Sequence, residues 1–268
     1  MRSLNFIIGG IRRLGRAVFG PQRIRLYAWL SLISQILIVV TGGAVRLTGS
    51  GLGCPTWPKC TDDSFVTVPE MGWHGVIEFG NRLLTFVLII IALLTFIVVR
   101  RTLKPVRHGW TWPSLTLGLG IIAQAILGGI TVLTGLNSWI VGAHFLVSGI
   151  LIAIASILVY RVYRPAQRPV PAGSLSIRWL ILVSGTLSIL FGIVVTGAGP
   201  HAGDASTPRN GLDLEIWQHY HSYPGYLMLL LIVIQLALFV RRDGLSPAGW
   251  NHQTVTLAIL FGVSVAQA

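Results

Sequence analysis

The chain has 268 residues, 53% of them hydrophobic and only 10% charged, and a mean hydropathy of +0.74. That is too apolar for a water-soluble domain of this length and makes it an integral membrane protein. The formal net charge of +12 invites a nucleic-acid reading, but Lys and Arg stand in short clusters between apolar runs, which is orientation chemistry; no nucleic-acid partner is expected.

The amino-terminal residues carry Arg2, Arg12, Arg13 and Arg16, and their apolar stretch, Leu4 to Ile8, is too short for a signal-peptide core. Residues 1–24 therefore read as a cytoplasmic tail. Apolar runs long enough to span, at about 20 residues per crossing, follow at Leu26–Val45, Val76–Val99, Trp112–Leu133, Ile140–Val162, Trp179–Val195 and Trp217–Val240. A seventh begins at Val255 and is still running at Ala268. The basic clusters Arg23/Arg25, Arg100/Arg101/Lys104/Arg107, Arg161/Arg164/Arg168/Arg178 and Arg241/Arg242 alternate with loops poorer in Lys and Arg. The positive-inside rule then puts the amino terminus in the cytoplasm and the 46–73 and 198–216 loops outside a plasma membrane, crossed several times and solvated by lipid.

Cys54 and Cys60, the only cysteines, lie in the first outward loop. An oxidising compartment permits a disulfide there, either as a staple closing a small loop or as a redox-active pair beside a cofactor. The second apolar run opens with His74-Gly-Val-Ile-Glu-Phe-Gly-Asn-Arg82. His74 and Glu78 are four apart, and Glu78 and Asn81 three apart, so on a helix the three share a face. Ionisable groups inside a span are costly and point at a cavity, a cofactor or a proton path. A carboxylate at this depth is expected to have a raised pKa, suited to proton transfer; the structural alternative is a Glu78 neutralised by Arg82.

The chain repeats itself. Val39-Val-Thr-Gly-Gly-Ala returns as Val194-Val-Thr-Gly-Ala-Gly, Val98-Val-Arg-Arg as Phe239-Val-Arg-Arg, and Ala123-Gln-Ala as Ala266-Gln-Ala. Offsets of about 140 to 155 residues imply two parallel four-helix halves. The expected organisation is an all-α polytopic membrane protein with a first half over 25–164, a cytoplasmic linker over 165–176 and an incomplete second half over 177–268.

Depth relates the histidines. At 1.5 Å rise per residue, Asn81 lies roughly 28 Å and His74 roughly 39 Å from Arg100, His144 roughly 26 Å from Arg161, and His221 roughly 30 Å from Arg241. Asn81, His144 and His221 share a level, His74 sits higher, and His219 and His221 open the sixth span. Paired axial imidazoles at matching depth are what a haem between helices needs. The alternative for His144 is a hydrogen bond to a neighbouring helix. His108 and His252 fall in cytoplasmic connections.

The motifs Thr41-Gly-Gly-Ala-Val-Arg-Leu-Thr-Gly-Ser-Gly-Leu-Gly-Cys-Pro-Thr-Trp-Pro-Lys-Cys, Ile77-Glu-Phe-Gly-Asn-Arg, Gln124-Ala-Ile-Leu-Gly-Gly, Ala143-His-Phe and Gln218-His-Tyr-His resemble those of haem A synthase, over nearly the whole chain. That polytopic enzyme oxidises a methyl group of haem O to the formyl group of haem A for cytochrome oxidase. The resemblance implies a catalytic Glu78, haem-iron ligands at His144 and His221, a functional cysteine pair at Cys54 and Cys60, haem O as substrate in the first half and haem b as electron-relaying cofactor in the second. It also implies work beside haem O synthase and oxidase assembly factors, and leaves room for a homo-oligomer.

Two departures from the family pattern matter. Asn81 stands where the family's Glu-x-x-His-Arg has its histidine, so either His74 supplies the imidazole after a rearrangement or the first site holds its haem from His144 alone; Asn81, Arg82 and His219 are the further residues expected to line haem. The residue paired with His221 maps roughly 19 positions beyond Ala268; the chain is expected to be truncated, with any haem at His221 five-coordinate, weakly held or absent. Two rivals remain: a non-catalytic b-type haem protein or electron carrier, which needs His144 and His221 but gives Glu78 no role, and a transporter using Glu78 and His74 as a proton relay.

Overall fold

The computed structural model describes residues 18–102, 111–163, 174–244 and 252–267. The basic residues Arg2, Arg12, Arg13, Arg16, Lys104, Arg107, Arg164 and Arg168, His108, Ala268 and most of the 165–176 linker lie outside the described residues. The described residues form seven α-helices: α1 (Ile24–Leu47), α2 (Gly72–Thr102), α3 (Thr111–Leu133), α4 (Ser138–Tyr163), α5 (Ser174–Ala198), α6 (Leu214–Asp243) and α7 (His252–Gln267). Six are long and apolar enough to cross a membrane; α7 is a shorter apolar helix. The protein is an all-α polytopic membrane protein, and its helices outrun the apolar runs at most ends, so that His74 stands in the first turn of α2.

The punctuation follows from local chemistry. A 3-10 turn with Pro21 at its start leads into α1, where a missing N–H costs nothing. Asp213 caps α6, its carboxylate accepting from the N–H of Glu215 at 2.8 Å and of Ile216 at 3.2 Å, two donors that a helix start otherwise leaves unpaired. Gly244, at φ +81°, ends α6, in the left-handed region that costs glycine nothing.

The chain divides into two compact units, Met1–Arg164 with His201–Pro208, and Pro165–Pro200 with Arg209–Ala268. In the first, α1 packs beside α2 and α4, α2 beside α3, and α3 beside α4, a closed ring of four helices. Ala28, Val99, Leu117, Leu151, Ala155 and Leu158 make its core. Gly120 lets Leu151 lie against the α3 backbone, where a Cβ would collide with it, the close approach that small residues provide between membrane helices. Ser31 and Thr95 join α1 to α2 by a hydroxyl pair at 2.9 Å. In the second unit α6 packs against both α5 and α7, around Ile181, Leu231 and Ile232. The outer helix faces stay apolar and open, with Val40 61% and Phe86 63% exposed, surfaces suited to lipid rather than water.

Segment 201–208 caps the first unit at the end that carries the cysteines. Gly51 donates its N–H to the Gly203 carbonyl at 2.8 Å, and Leu136, in the α3–α4 turn at φ +59°, packs where a side chain on Gly51 would stand. Asp204 accepts from the hydroxyl and the N–H of Ser206, which hold its carboxyl below the usual range.

Candidate functional site

Cys54 and Cys60 form a disulfide, both sulfurs buried, and close a small loop over the start of α2. The loop is docked by one side chain. Arg82 donates from Nη2 to the Cys54 carbonyl at 2.7 Å, from Nη1 to the Thr56 and Lys59 carbonyls at 3.0 and 3.1 Å, and from Nε and Nη2 to Oε1 of Glu78. All five guanidinium N–H groups are therefore engaged. The other oxygen of Glu78, Oε2, accepts the Cys54 N–H at 2.6 Å. Glu78 is 5% exposed, and a carboxylate so buried needs a partner charge and hydrogen bonds together. The neutralising pair weighed from the i, i+4 spacing is present, and it is also the anchor of the disulfide loop.

Since both cysteines are bonded and buried, they are expected to resist alkylation in the native protein and to react after reduction. Mass spectrometry of iodoacetamide-treated protein, with and without reductant, checks this; labelling of both thiols without reductant is the contrary result.

The same loop reaches α3. Trp57 lies against Gly129, where any Cβ would overlap the indole. The neighbouring Gly128 faces His144 of α4, and a Cβ there would lie 3.3 Å from its Cε1. Gln124, one turn earlier on α3, donates Nε2 to the His144 carbonyl at 3.0 Å and to Ser148 Oγ. His144 is partly buried, and its Nδ1 is buried without a hydrogen-bond partner.

In the second unit His221 of α6 lies over Gly192 of α5, where a Cβ would stand 3.0 Å from its Cε1. Its Nδ1 is 2.7 Å from the Ser188 carbonyl. A carbonyl only accepts, so this contact puts a proton on Nδ1, and in the neutral ring Nε2 is then the nitrogen available to iron.

The remaining candidates have other partners. Asn81 accepts from Thr41 Oγ1 at 2.7 Å. His74 pairs through Nδ1 with Ser50 Oγ at 2.9 Å and stacks on Trp73. His219 is exposed, with Nδ1 2.6 Å from the Glu215 carbonyl of its own helix. The structure thus joins Glu78, Arg82 and the cysteines in one network, and gives His144 and His221 each a glycine-floored position. The residues that sequence reading passed over are Gly128, Gly192, Ser188 and Trp57. A polar residue with a glycine four later, as in Gln124/Gly128 and Ser188/Gly192, does not mark them, because Thr116/Gly120 has the same spacing away from any histidine.

A family model described as cytochrome oxidase assembly protein, COX15-CtaA, matches residues 25–215, taking in the disulfide loop, Glu78, Arg82 and His144. The chain belongs to this family. Within the cytochrome oxidase assembly family, it is similar to the heme A synthase of Geobacillus thermodenitrificans, 33% identical over 161 residues, covering 59% of this chain and 48% of that protein. It is also similar to the heme A synthase of Bacillus pumilus, 26% identical over 179 residues, 65% of this chain and 57% of that protein. The chain spans about half the length of these two relatives. Its likeness to the heme A synthase of Halalkalibacterium halodurans is longer, 23% identical over 253 residues, 89% of this chain and 84% of that protein. No solved structure matches the chain. His219 and His221 lie just beyond the span that the family model matches.

Proposed function

We propose that this protein is a haem A synthase, an oxidoreductase that converts the methyl group of haem O to the formyl group of haem A for cytochrome oxidase. The observation that carries the reading is the buried Glu78–Arg82 pair tied to a disulfide loop, in a family of oxidase assembly proteins whose similar members include heme A synthases.

The donor set suits haem. Among the described residues no group of three or more His, Cys, Asp or Glu converges as a bare metal ion would require, whereas a haem iron takes its protein ligands singly, one per axial face. His144 would ligate haem O in the first unit and His221 a haem b in the second, each ring set over a helix glycine. The bound haem b would supply one-electron transfer. Arg82 holds the Glu78 carboxylate and the loop in one geometry. Oxidation of the methyl group moves protons as well as electrons, and Glu78 would be the group that takes or returns the protons, through Oε2, the oxygen not bonded to Arg82. Trp57 packs on Gly129, the residue after the glycine under His144, and so fixes the disulfide loop to α3 beside that position.

The orientation proposed is the one the basic residues favour: Arg23, Arg25, Arg100, Arg101, Arg161, Arg178, Arg241 and Arg242 toward the cytoplasm of a plasma-membrane protein, and the disulfide outside. Haem O synthase and other assembly factors are the proposed partners, with a homo-oligomer as the proposed form.

Glu78→Gln is expected to keep haem bound yet abolish haem A formation, since shape is retained and the ionisable oxygen is lost. Pigment extraction from cells expressing the variant measures this. The full engagement of Glu78 by Arg82 and Cys54 favours a second reading, a non-catalytic b-type haem carrier in which Glu78 only fastens the loop; near-normal haem A in Glu78→Gln would remove Glu78 from the chemistry, and no haem A from the unaltered chain would favour the carrier.

A further inference from the structure

The two candidate ligand histidines are set in the same local device, and the device differs at one atom. In the second unit Ser188 donates its hydroxyl to the His221 carbonyl at 3.1 Å, and Gly192, one turn further along α5, makes room for the ring. Nδ1 of that ring is satisfied by the Ser188 main-chain carbonyl at 2.7 Å. In the first unit Gln124 donates Nε2 to the His144 carbonyl at 3.0 Å, and Gly128, again one turn further along α3, makes room for the ring. Here Nδ1 of His144 is buried with no hydrogen-bond partner, and Oε1 of Gln124 is buried with none either. In the tautomer that frees Nε2 for iron, Nδ1 is a donor, while Oε1 is an acceptor. Both belong to the same pair of facing residues, and leaving either unpaired in a membrane interior is costly.

We infer that Gln124 is the positioning residue of the first site: when His144 ligates through Nε2, Oε1 of Gln124 takes its Nδ1–H. The inference rests on the haem reading above. It makes the two sites unlike in a way that fits their proposed uses. A main-chain carbonyl in α5 cannot leave His221, so that ring is permanently oriented and its ligand basicity permanently raised. A side-chain amide can turn away, so the grip on His144 can be made and released, as an exchangeable macrocycle requires. A plain alternative is that Gln124 only ties α3 to α4 through the His144 carbonyl and Ser148.

The test uses the purified full chain in detergent with His221→Ala, so that haem signals come from the first unit, reconstituted with haem b. Two quantities are read: the iron–imidazole stretching frequency of the ferrous protein by resonance Raman, and the rate of haem loss to excess apomyoglobin. Gln124→Leu and Gln124→Met, which remove the acceptor, are expected to lower the frequency and to speed haem loss about 10- to 100-fold. Gln124→Glu, a stronger acceptor, is expected to raise the frequency, and Ser148→Ala to change neither quantity. Where the iron proves six-coordinate, the loss rate decides alone. Haem loss indifferent to Gln124, or equally accelerated by Ser148→Ala, overturns the positioning role and leaves the haem reading standing. Failure of the His144 site to take up haem in the Gln124-intact protein overturns both. Gln124→Glu and Gln124→Met keep the test open if the leucine variant does not fold.

Discussion

Arg82→Leu is expected to lower stability by about 3–5 kcal/mol, the loss seen when one partner of a buried pair is removed. The substitution withdraws five hydrogen bonds at once, three of them from the carbonyls of Cys54, Thr56 and Lys59. It also leaves the Glu78 carboxylate, 5% exposed, without its counter-charge. The double variant Glu78→Leu/Arg82→Leu is expected to be less destabilised than Arg82→Leu alone, because no buried charge is then stranded. Thermal unfolding of the disulfide-intact protein in detergent measures both. An Arg82→Leu protein within about 0.5 kcal/mol of the unaltered chain, the range of an ordinary surface change, would show that the loop is held by something else.

Gly192→Val is expected to weaken haem binding by the second unit about five- to a hundredfold. A Cβ at Gly192 would stand 3.0 Å from Cε1 and 3.1 Å from Nδ1 of His221, so the ring must move, and with it the 2.7 Å contact to the Ser188 carbonyl. Overpacking of this kind costs about 1–3 kcal/mol, which at 1.4 kcal/mol per factor of ten gives that range. Gly128→Val is the comparison, with a Cβ 3.3 Å from the His144 ring, looser and so less damaging. Pyridine haemochrome assay per mole of protein reads both. Occupancy unchanged in Gly192→Val would mean that His221 does not ligate from this position.

What the sequence made legible was whatever depends on period and spacing. The six long spans stand out because a run of apolar residues must be helical in lipid, and Glu78 with Arg82 because four residues is one helical turn. The partners of those residues were not legible. That Arg82 reaches the Thr56 carbonyl, or that Thr41 donates to Asn81, depends on how a loop and a second helix come to rest, and no local pattern encodes it. The glycines under His144 and His221 were hidden for another reason: glycine in a membrane helix serves close packing generally, so Gly128 and Gly192 do not differ in sequence from Gly120. Ser188 acts on His221 Nδ1 through its main chain, which side-chain identity cannot reveal. Residues 201–208 read as part of the second half, yet the Gly51–Gly203 contact places them with the first unit.

That last contact bears on the order in which the molecule can be made. A chain synthesised from its amino end has α1 to α4 complete at residue 163, but the carbonyl that Gly51 needs belongs to Gly203, beyond α5. At about 5–20 residues per second, the roughly 40 residues between take the ribosome about 2–8 s. For that interval Gly51 has no Gly203 carbonyl to pair with, so the first unit is complete only after α5, a helix of the second, has been made.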